Sequence, residues 1–120
     1  MNTKHFDPET LRQDFLKISQ NQLAVDQAVT FITQWLNNPF FSDQHESILA
    51  HIEHKKNDLL LDAFYQTLPF GTGGRRGRVG YGPNRINPAT VALSVQGHCN
   101  YMKNKYDSKD QPIVIVAFDV

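Results

Sequence analysis

The stretch from Phe70 to Asn87 contains the residues of this chain that are best suited to chemistry. Glycines permit positive φ angles and let backbone amides approach an anion closely. Arginine presents a planar fork of donors that matches phosphate oxygens. A helix that begins at Asn87 adds its positive end to the same anion. The pattern therefore predicts a phosphate-facing loop. Its arginines and glycines are Arg75, Arg76, Arg78 and Arg85, with Gly71, Gly73, Gly74, Gly77, Gly80 and Gly82.

Two other interpretations of this stretch stay open on physical grounds. The first is a glycine-rich turn with solvated arginines. The second is a non-catalytic binding module that holds RNA or another phosphate ligand through the Gly/Arg loop 71–85. RNA is the weaker version, because only Tyr81 lies among the arginines and could stack on a base. A Walker-type site is excluded, because no Lys-Ser or Lys-Thr pair follows a glycine loop.

Composition and charge narrow the class of protein. The 120 residues suffice for one modest domain or part of a larger one. Lys plus Arg equals Asp plus Glu at 12 each, which argues against a dedicated nucleic-acid or membrane-surface binder. The single cysteine, Cys99, excludes an internal disulfide and favours a reducing, cytoplasmic setting. No apolar run approaches the ~20 residues of a membrane span, and Met1–Asp7 has no apolar signal core.

Helices are predicted for the part of the chain that precedes the loop. The first begins at Asp7 with the sequence DPE, in which the aspartate caps and the proline suits the first turn. The second runs from about Val25 to Leu36 and ends before Pro39. Their apolar stripes are Leu11, Phe15 and Ile18, and Val25, Ala28, Val29, Ile32 and Leu36, with Trp35 beside the second.

A third helix is predicted with Ser42 or Asp43 as its cap, followed by another turn or two over residues 58–65. Its apolar side consists of Ile48, Leu49 and Ile52. The histidines near it, which could suggest a metal site, face away from that side and are interpreted as a solvated polar face. They are His45, His51 and His54. A helical interaction protein built from residues 8–65 is a third interpretation of the chain.

The chain after the loop predicts a helix and then a strand. The helix begins at Asn87-Pro88 and runs to about Lys103. Ile113–Phe118 is an unbroken apolar run rich in β-branched residues, typical of a strand buried in a parallel or mixed sheet. The predicted fold class is therefore α/β. The predicted buried face of the helix is Val91, Val95, Cys99 and Met102, which makes Cys99 a core residue rather than a nucleophile.

The sequence LPFGTGGRRG, residues 68–77, resembles the first motif of the phosphohexomutases, the phosphoglucomutase/phosphomannomutase family. Phe-Gly-Thr, about two small residues and an Arg-Gly pair recur there. The following GPNRIN and TVALSVQGHCNYM, with its Gln-Gly pair, resemble the family's next segment. IVIVAFDV resembles its next strand, and DAFY resembles what leads into the motif. The match covers about residues 62–120.

The resemblance implies an organisation and an activity. Residues 1–61 are expected to form a helical amino-terminal extension, and residues 62–120 the beginning of the first mixed α/β domain, left incomplete. Such enzymes interconvert hexose 1-phosphate and hexose 6-phosphate through a phosphoserine and a sugar 1,6-bisphosphate. Mg²⁺ on an aspartate loop of the second domain assists. The implied partners are the hexose phosphate and the remaining mutase domains, with no nucleic acid and no membrane.

The resemblance also assigns residues. Arg76 matches the arginine of the Arg-Gly pair, which faces the phosphoserine and the bisphosphate in the family. Arg75 departs from the family pattern, in which an apolar residue is common, so either arginine could point inward. Thr72 and Arg85 are weaker candidates. No serine precedes His-Asn and no Asp-Gly-Asp loop occurs. The nucleophile, the metal ligands and the sugar-selecting loop are thus expected beyond Val120, and the chain alone is expected to be inactive.

Overall fold

Helices make up the regular structure of the described part of this chain. The computed structural model describes residues 6–107 and 109–118. The α-helices, in chain order, are α1 (Pro8–Leu16), α2 (Gln22–Asn37), α3 (Ser42–Glu53), α4 (Asn57–Phe64) and α5 (Pro88–Lys105). A 3-10 turn, Pro39–Phe41, joins α2 to α3. Within the described ranges no helix combines the length and hydrophobicity needed to cross a membrane.

Local capping signals explain where most of these helices begin. The Asp7 carboxylate accepts hydrogen bonds from the Thr10 hydroxyl at 2.6 Å and the Glu9 amide at 3.2 Å. These bonds, led by that from Thr10, lower the pKa of Asp7. The beginning of α3 differs from the prediction, because Ser42 and Asp43 lie inside the helix and neither caps it. The 3-10 turn runs directly into α3, and Asn38 caps that turn instead.

The core of the fold lies between α1, α2, α3 and α4. The predicted stripes supply it, as Phe15, Ile32 and Ile48 are fully buried. Trp35 stacks on Phe41 with ring centroids 3.9 Å apart. Ile18 is an exception at 50% exposed, because α1 ends at Leu16 and the following turn carries Ile18 off the stripe. The predicted boundary between residues 61 and 62 falls inside α4 and stays a prediction.

The histidines of α3 are less solvated than predicted. The ring Nε2 of His45 lies 2.6 Å from the Trp35 carbonyl oxygen, and the ring Nδ1 of His51 lies 2.7 Å from the Tyr81 hydroxyl. Both histidines are half-buried, whereas His54, at the end of α3, is exposed. The prediction of a solvated face is therefore wrong for His45 and His51, because distant segments of the chain fold over them.

The apolar side of α5 is open in the described part of the chain. Only the first turn of α5 is buried, through Ala89 and Thr90. Val91 and Val95 are 47% and 55% exposed, and Cys99 is also exposed. The prediction of Cys99 as a core residue is wrong for this structure, since no described segment covers the later turns.

Residues 113–118 do not form the predicted strand. Ile113, Ile115 and Phe118 are 85–87% exposed. A strand needs a neighbour that completes its backbone hydrogen bonds, and no strand is assigned anywhere in residues 6–107 or 109–118. The helical part of the fold prediction is confirmed, whereas its α/β part is not. Asp119 and Val120, which continue the predicted strand, lie outside the described residues, as do Met1–His5.

This uncovered apolar surface predicts self-association of the 120-residue chain. Exposed apolar segments without partners favour association. We expect the sedimentation coefficient of the purified chain to rise with protein concentration, and its thermal unfolding to be broad. Ile115→Lys should reduce the association, while Lys109→Gln, in the polar connection that precedes residues 113–118, should not. A concentration-independent monomer with a sharp cooperative transition would contradict this expectation.

Tyr81 attaches the glycine- and arginine-rich stretch to the helical core. Its ring stacks on Phe64 with centroids 5.7 Å apart, and its hydroxyl reaches His51 of α3. Burial raises the pKa of Tyr81 to about 12 from the ordinary value of 10.0. The folded chain therefore favours the neutral phenol.

The free energy of unfolding should consequently decrease at high pH, because Tyr81 ionises less readily in the folded chain than in the unfolded chain. A raised pKa gives a stabilisation that is complete below pH 10.0 and is lost as the pH rises through about 12. A spectrophotometric titration should show a tyrosinate step near pH 12 that Tyr81→Phe removes. Tyr101→Phe, which removes the hydroxyl of an exposed tyrosine, should leave the step in place. Persistence of the step in Tyr81→Phe would assign it to another tyrosine.

Candidate functional site

The site is built on the end of α4. The last carbonyl groups of a helix lack intrahelical partners and need donors from elsewhere. Residues 82–87, GPNRIN, supply them, and we call this stretch the anchor segment. The Asn84 amide donates to the Ala63 carbonyl at 3.1 Å, and the Asn84 side chain donates to the Asp62 carbonyl at 2.9 Å. The anchor segment is thus fixed to the end of a helix whose other side lies in the core.

Arg85 completes this attachment. Its Nη2 lies 2.5 Å from the Asp62 carboxylate, and its Nη1 donates to the Asn84 carbonyl at 3.0 Å. Arg85 is only 5% exposed. A cation near the carboxyl end of a helix also interacts favourably with the helix dipole. Arg85 is a predicted phosphate ligand, but its guanidinium already donates to oxygen atoms of the protein itself.

Asn87 joins the anchor segment to α5. Its side-chain amide donates to the carbonyls of Gly80 and Gly82 at 2.9 and 3.0 Å. Its side-chain oxygen accepts the Thr90 amide at 2.9 Å, which caps α5 as the sequence predicts. Gly82 has a φ of +106°, and a Cβ there would lie 2.5 Å from the Ala63 carbonyl oxygen. Only glycine therefore lets the anchor segment lie this close to α4.

Residues 68–80, which we call the arginine loop, are held at both ends by the anchor segment. At the first end, the Leu68 amide donates to the Pro83 carbonyl at 2.8 Å. At the second, the Ile86 amide donates to the Arg78 carbonyl at 2.8 Å, and the Gly80 amide donates to the Ile86 carbonyl at 3.1 Å. The middle of the loop has no backbone hydrogen bond to the anchor segment; it has only its own turn, in which the Gly71 amide donates to the Gly74 carbonyl.

Arg76 lies at the exposed middle of the arginine loop. A cavity of about 440 Å³ opens there, lined by residues 69–76, which include Thr72, Arg75 and Arg76. Arg76 is exposed, and no hydrogen bond or ion pair joins it to another residue of the described chain. Its guanidinium is available to an anion in that cavity. The glycines beside it leave room for backbone amides to approach the same anion.

Arg75 is directed to α5. Its guanidinium lies 4.4 Å from the centroid of the Phe70 ring, a cation–π distance. Its Nη1 donates to the Ser94 hydroxyl at 2.7 Å, while its Nε is buried without a partner in the described chain. Arg75 is half-buried and connects the loop to α5. Of the four predicted candidates, Thr72, Arg75 and Arg76 come together, and Arg85 lies apart.

The described residues do not fit a magnesium site. They contain no group of three or more His, Cys, Asp or Glu side chains that could hold a metal ion. A metal-assisted step would therefore need ligands other than these residues. The residues that the sequence interpretation missed are Asp62 and Asn84, which build the anchor. The Gly-Pro-Asn sequence signals a turn there, but nothing local identifies α4 as its partner.

Comparison with curated proteins finds phosphosugar mutases. The chain is 30% identical over 95 residues to a phosphopentomutase from Mus musculus, covering 79% of this chain and 15% of that protein. It is 29% identical over 86 residues to a phosphopentomutase from Homo sapiens, covering 72% and 14%. It is 33% identical over 78 residues to a phosphoglucomutase from Staphylococcus haemolyticus (strain JCSC1435), covering 54% and 14%.

No family model matches the chain, and no solved structure does. The chain spans about 15% of the length of the curated relatives it matches. These relatives are phosphosugar mutases by name, which agrees with the resemblance of the arginine loop and the anchor segment to the phosphohexomutase motif. The chain belongs to the phosphohexomutase-like family of phosphosugar mutases and corresponds to the amino-terminal part of its members.

Proposed function

We propose that this chain is the amino-terminal part of a phosphohexomutase that interconverts hexose 1-phosphate and hexose 6-phosphate. In the proposed reaction a phosphoserine donates its phosphoryl group to the sugar phosphate. The resulting sugar 1,6-bisphosphate reorients and returns the other phosphoryl group to the serine. The observation that carries the proposal is an arginine loop fixed at both ends whose exposed middle presents Arg76. The names of the relatives support it, as they include phosphoglucomutase. The catalytic serine and the Mg²⁺ ligands belong to other parts of the proposed enzyme.

The proposed role of Arg76 is to hold a phosphoryl group near the nucleophile. Phosphoryl transfer depends mostly on positioning and on stabilisation of charge. A guanidinium offers two parallel donors to phosphate oxygens, which fixes orientation as well as charge. Thr72 lines the same cavity and offers a hydroxyl donor. Arg75 and Arg85 stay weaker candidates, because Ser94 and Asp62 engage their guanidinium groups.

A pentose phosphate is the second candidate substrate. The relatives named phosphopentomutase cover 79% and 72% of this chain, compared with 54% for the Staphylococcus haemolyticus phosphoglucomutase. The proposed chemistry is the same, with the second phosphate on the terminal carbon of a shorter sugar. Comparing turnover of glucose 1-phosphate with that of ribose 1-phosphate by a mutase that contains this chain decides between the two.

The remaining mutase domains are the proposed partners of this chain. The open side of α5 and residues 113–118 offer the apolar surface that such a partner would cover. On this proposal residues 113–118 become a strand of the first mixed α/β domain once neighbouring strands complete its hydrogen bonds. A cytoplasmic location is part of the same proposal.

The 120-residue chain by itself should show no mutase activity. Its sequence contains neither a Ser-His-Asn motif nor an Asp-Gly-Asp loop. We expect background rates in coupled assays with glucose 1-phosphate or ribose 1-phosphate, each with Mg²⁺ and a trace of the matching sugar bisphosphate. Turnover above background that survives repeated purification would refute this expectation.

Arg76→Ala tests the phosphate role in a mutase that contains this chain. A hydrogen bond to a charged group is worth ~1.5–3 kcal/mol. At ~1.4 kcal/mol per tenfold, the loss of one or two such bonds lowers kcat/KM roughly ten- to a thousandfold. Arg76→Lys should recover part of the loss, because lysine keeps the charge without the planar fork.

The matched control is Arg78→Ala, which removes another exposed arginine from the same loop and should have a milder effect. Arg75→Ala is the second comparison. If Arg75→Ala is severely impaired while Arg76→Ala has near-normal kinetics, the phosphate role belongs to Arg75. If neither substitution affects kinetics, the loop does not bind phosphate.

A further inference from the structure

We propose that Asp62 and Arg85 form a positioning pair for the arginine loop. In this proposal the pair fixes the anchor segment to α4, and the anchor segment fixes both ends of the loop that presents Arg76. Arg85 then acts through Asp62 and does not contact phosphate. The inference rests on the proposed phosphate role of the loop and adds to it the residues that hold the loop in place.

The first argument is that Arg85 and Arg76 open onto different cavities. Arg76 lines the cavity of about 440 Å³ formed by residues 69–76. Arg85 lines a separate cavity of about 490 Å³, together with His51, Tyr81 and Asn87. The two cavities share no lining residue. A phosphate held by Arg76 is therefore not held by Arg85 in this arrangement.

The second argument is the asymmetric burial of the pair. The Arg85 side chain is 6% exposed and the Asp62 side chain is 54% exposed. A buried guanidinium is costly unless it is paired and hydrogen-bonded. Asp62 supplies that pairing from a helix that is itself fixed by buried Leu60 and Phe64. Asp62 is thus a rigid attachment point, and the position of Arg85 depends on it.

The third argument is that the backbone beside Arg85 carries the ties to the loop. Pro83 accepts from Leu68 at the first end of the arginine loop, and Ile86 bonds with Arg78 and Gly80 at the second. The aliphatic part of Arg85 also passes Gly80, as its Cγ and Cδ lie 3.8 Å from the point that a Cβ of Gly80 would occupy. Displacement of Arg85 would therefore disturb both ends of the loop.

The positioning role predicts an effect whose sign differs from that of simple electrostatics. Removing an acid near an anion site ordinarily strengthens anion binding, because a repulsion disappears. If Arg85 bound phosphate directly, removing Asp62 would release its guanidinium and also strengthen binding. If the pair positions the loop, removing Asp62 weakens binding although the chain becomes more positive.

The experiment is hydrogen–deuterium exchange of the full chain, read by mass spectrometry at low protein concentration. Glucose 1,6-bisphosphate is the probe, and potassium chloride matches the ionic strength in its absence. Asp62→Ala is compared with wild type and with Asp58→Ala, which removes the same charge from an exposed position of the same helix. Exchange in α1 and α2 reports whether each variant remains folded. Asp62→Asn keeps the side-chain shape if the alanine variant unfolds.

We expect faster exchange in residues 68–80 of Asp62→Ala without ligand, while α1 and α2 stay protected. We also expect roughly tenfold weaker binding of the probe at residues 70–77, the size of effect that losing a charged hydrogen bond gives. Asp62→Asn should change loop exchange and probe binding in the same direction but to a smaller extent. Asp58→Ala should change neither the loop exchange nor the probe binding.

Other outcomes are decisive in different ways. Unchanged loop exchange with unchanged or stronger probe binding in Asp62→Ala would overturn the positioning pair and favour direct contact of Arg85 with phosphate. If the probe protects no residue of the wild-type loop, the proposed phosphate role fails. The exchange rates of residues 68–80 without ligand would still decide whether Asp62 and Arg85 hold the loop.

Discussion

The end of α4 is the constraint on which the candidate site depends. A helix that stops inside a protein leaves carbonyl groups that require donors. Here Asn84 donates to the carbonyls of Asp62 and Ala63, and Arg85 donates to the Asp62 carbonyl at 3.5 Å. Because the other side of α4 packs into the helical core, the anchor segment is held in a fixed position relative to that core. The site is therefore held largely by hydrogen bonds at a helix end, to which the stacking of Tyr81 on Phe64 and the burial of Leu68 add packing.

This construction separates a fixed base from an open tip. Hydrogen bonds from the anchor segment hold residues 68 and 78–80, whereas residues 71–74 are exposed. A phosphate-binding loop benefits from both properties, because the donors must be preorganised while the anion must still reach them. The neighbouring arginines divide these tasks. Arg75 ties the loop to α5 through Ser94, and Arg76 remains accessible.

The two ends of the chain differ in how completely they are packed. The helices α1 to α4 share a core with fully buried residues such as Phe15 and Phe64. By contrast, α5 is buried only at its first turn, and residues 113–118 expose their apolar side chains. The described chain thus combines a closed helical core with an uncovered apolar surface. The chain spans about 15% of the length of its relatives, so an incompletely covered element is consistent with that comparison.

Signals that act within one or two helical turns could be predicted from the sequence. Asp7 and Asn87 cap their helices as predicted, because a cap needs only the two or three residues that follow it. The core stripe of α2 was likewise predictable from helical spacing. The resemblance to the phosphohexomutases was also visible without any structure, because it rests on the sequence LPFGTGGRRG and the segments on either side of it, whereas the glycine and arginine pattern alone left other interpretations open.

The tertiary structure decided what each charged or polar side chain does. Asp62 and Arg85 lie 23 positions apart in the chain, and His51 and Tyr81 lie 30 apart, so no local pattern joins them. The same applies to the open side of α5, whose spacing resembles that of a buried helix. Spacing shows which residues share a face, whereas covering that face requires a second segment. The sequence thus determined the helices and the motif, and the tertiary structure determined which arginine is buried and which is available.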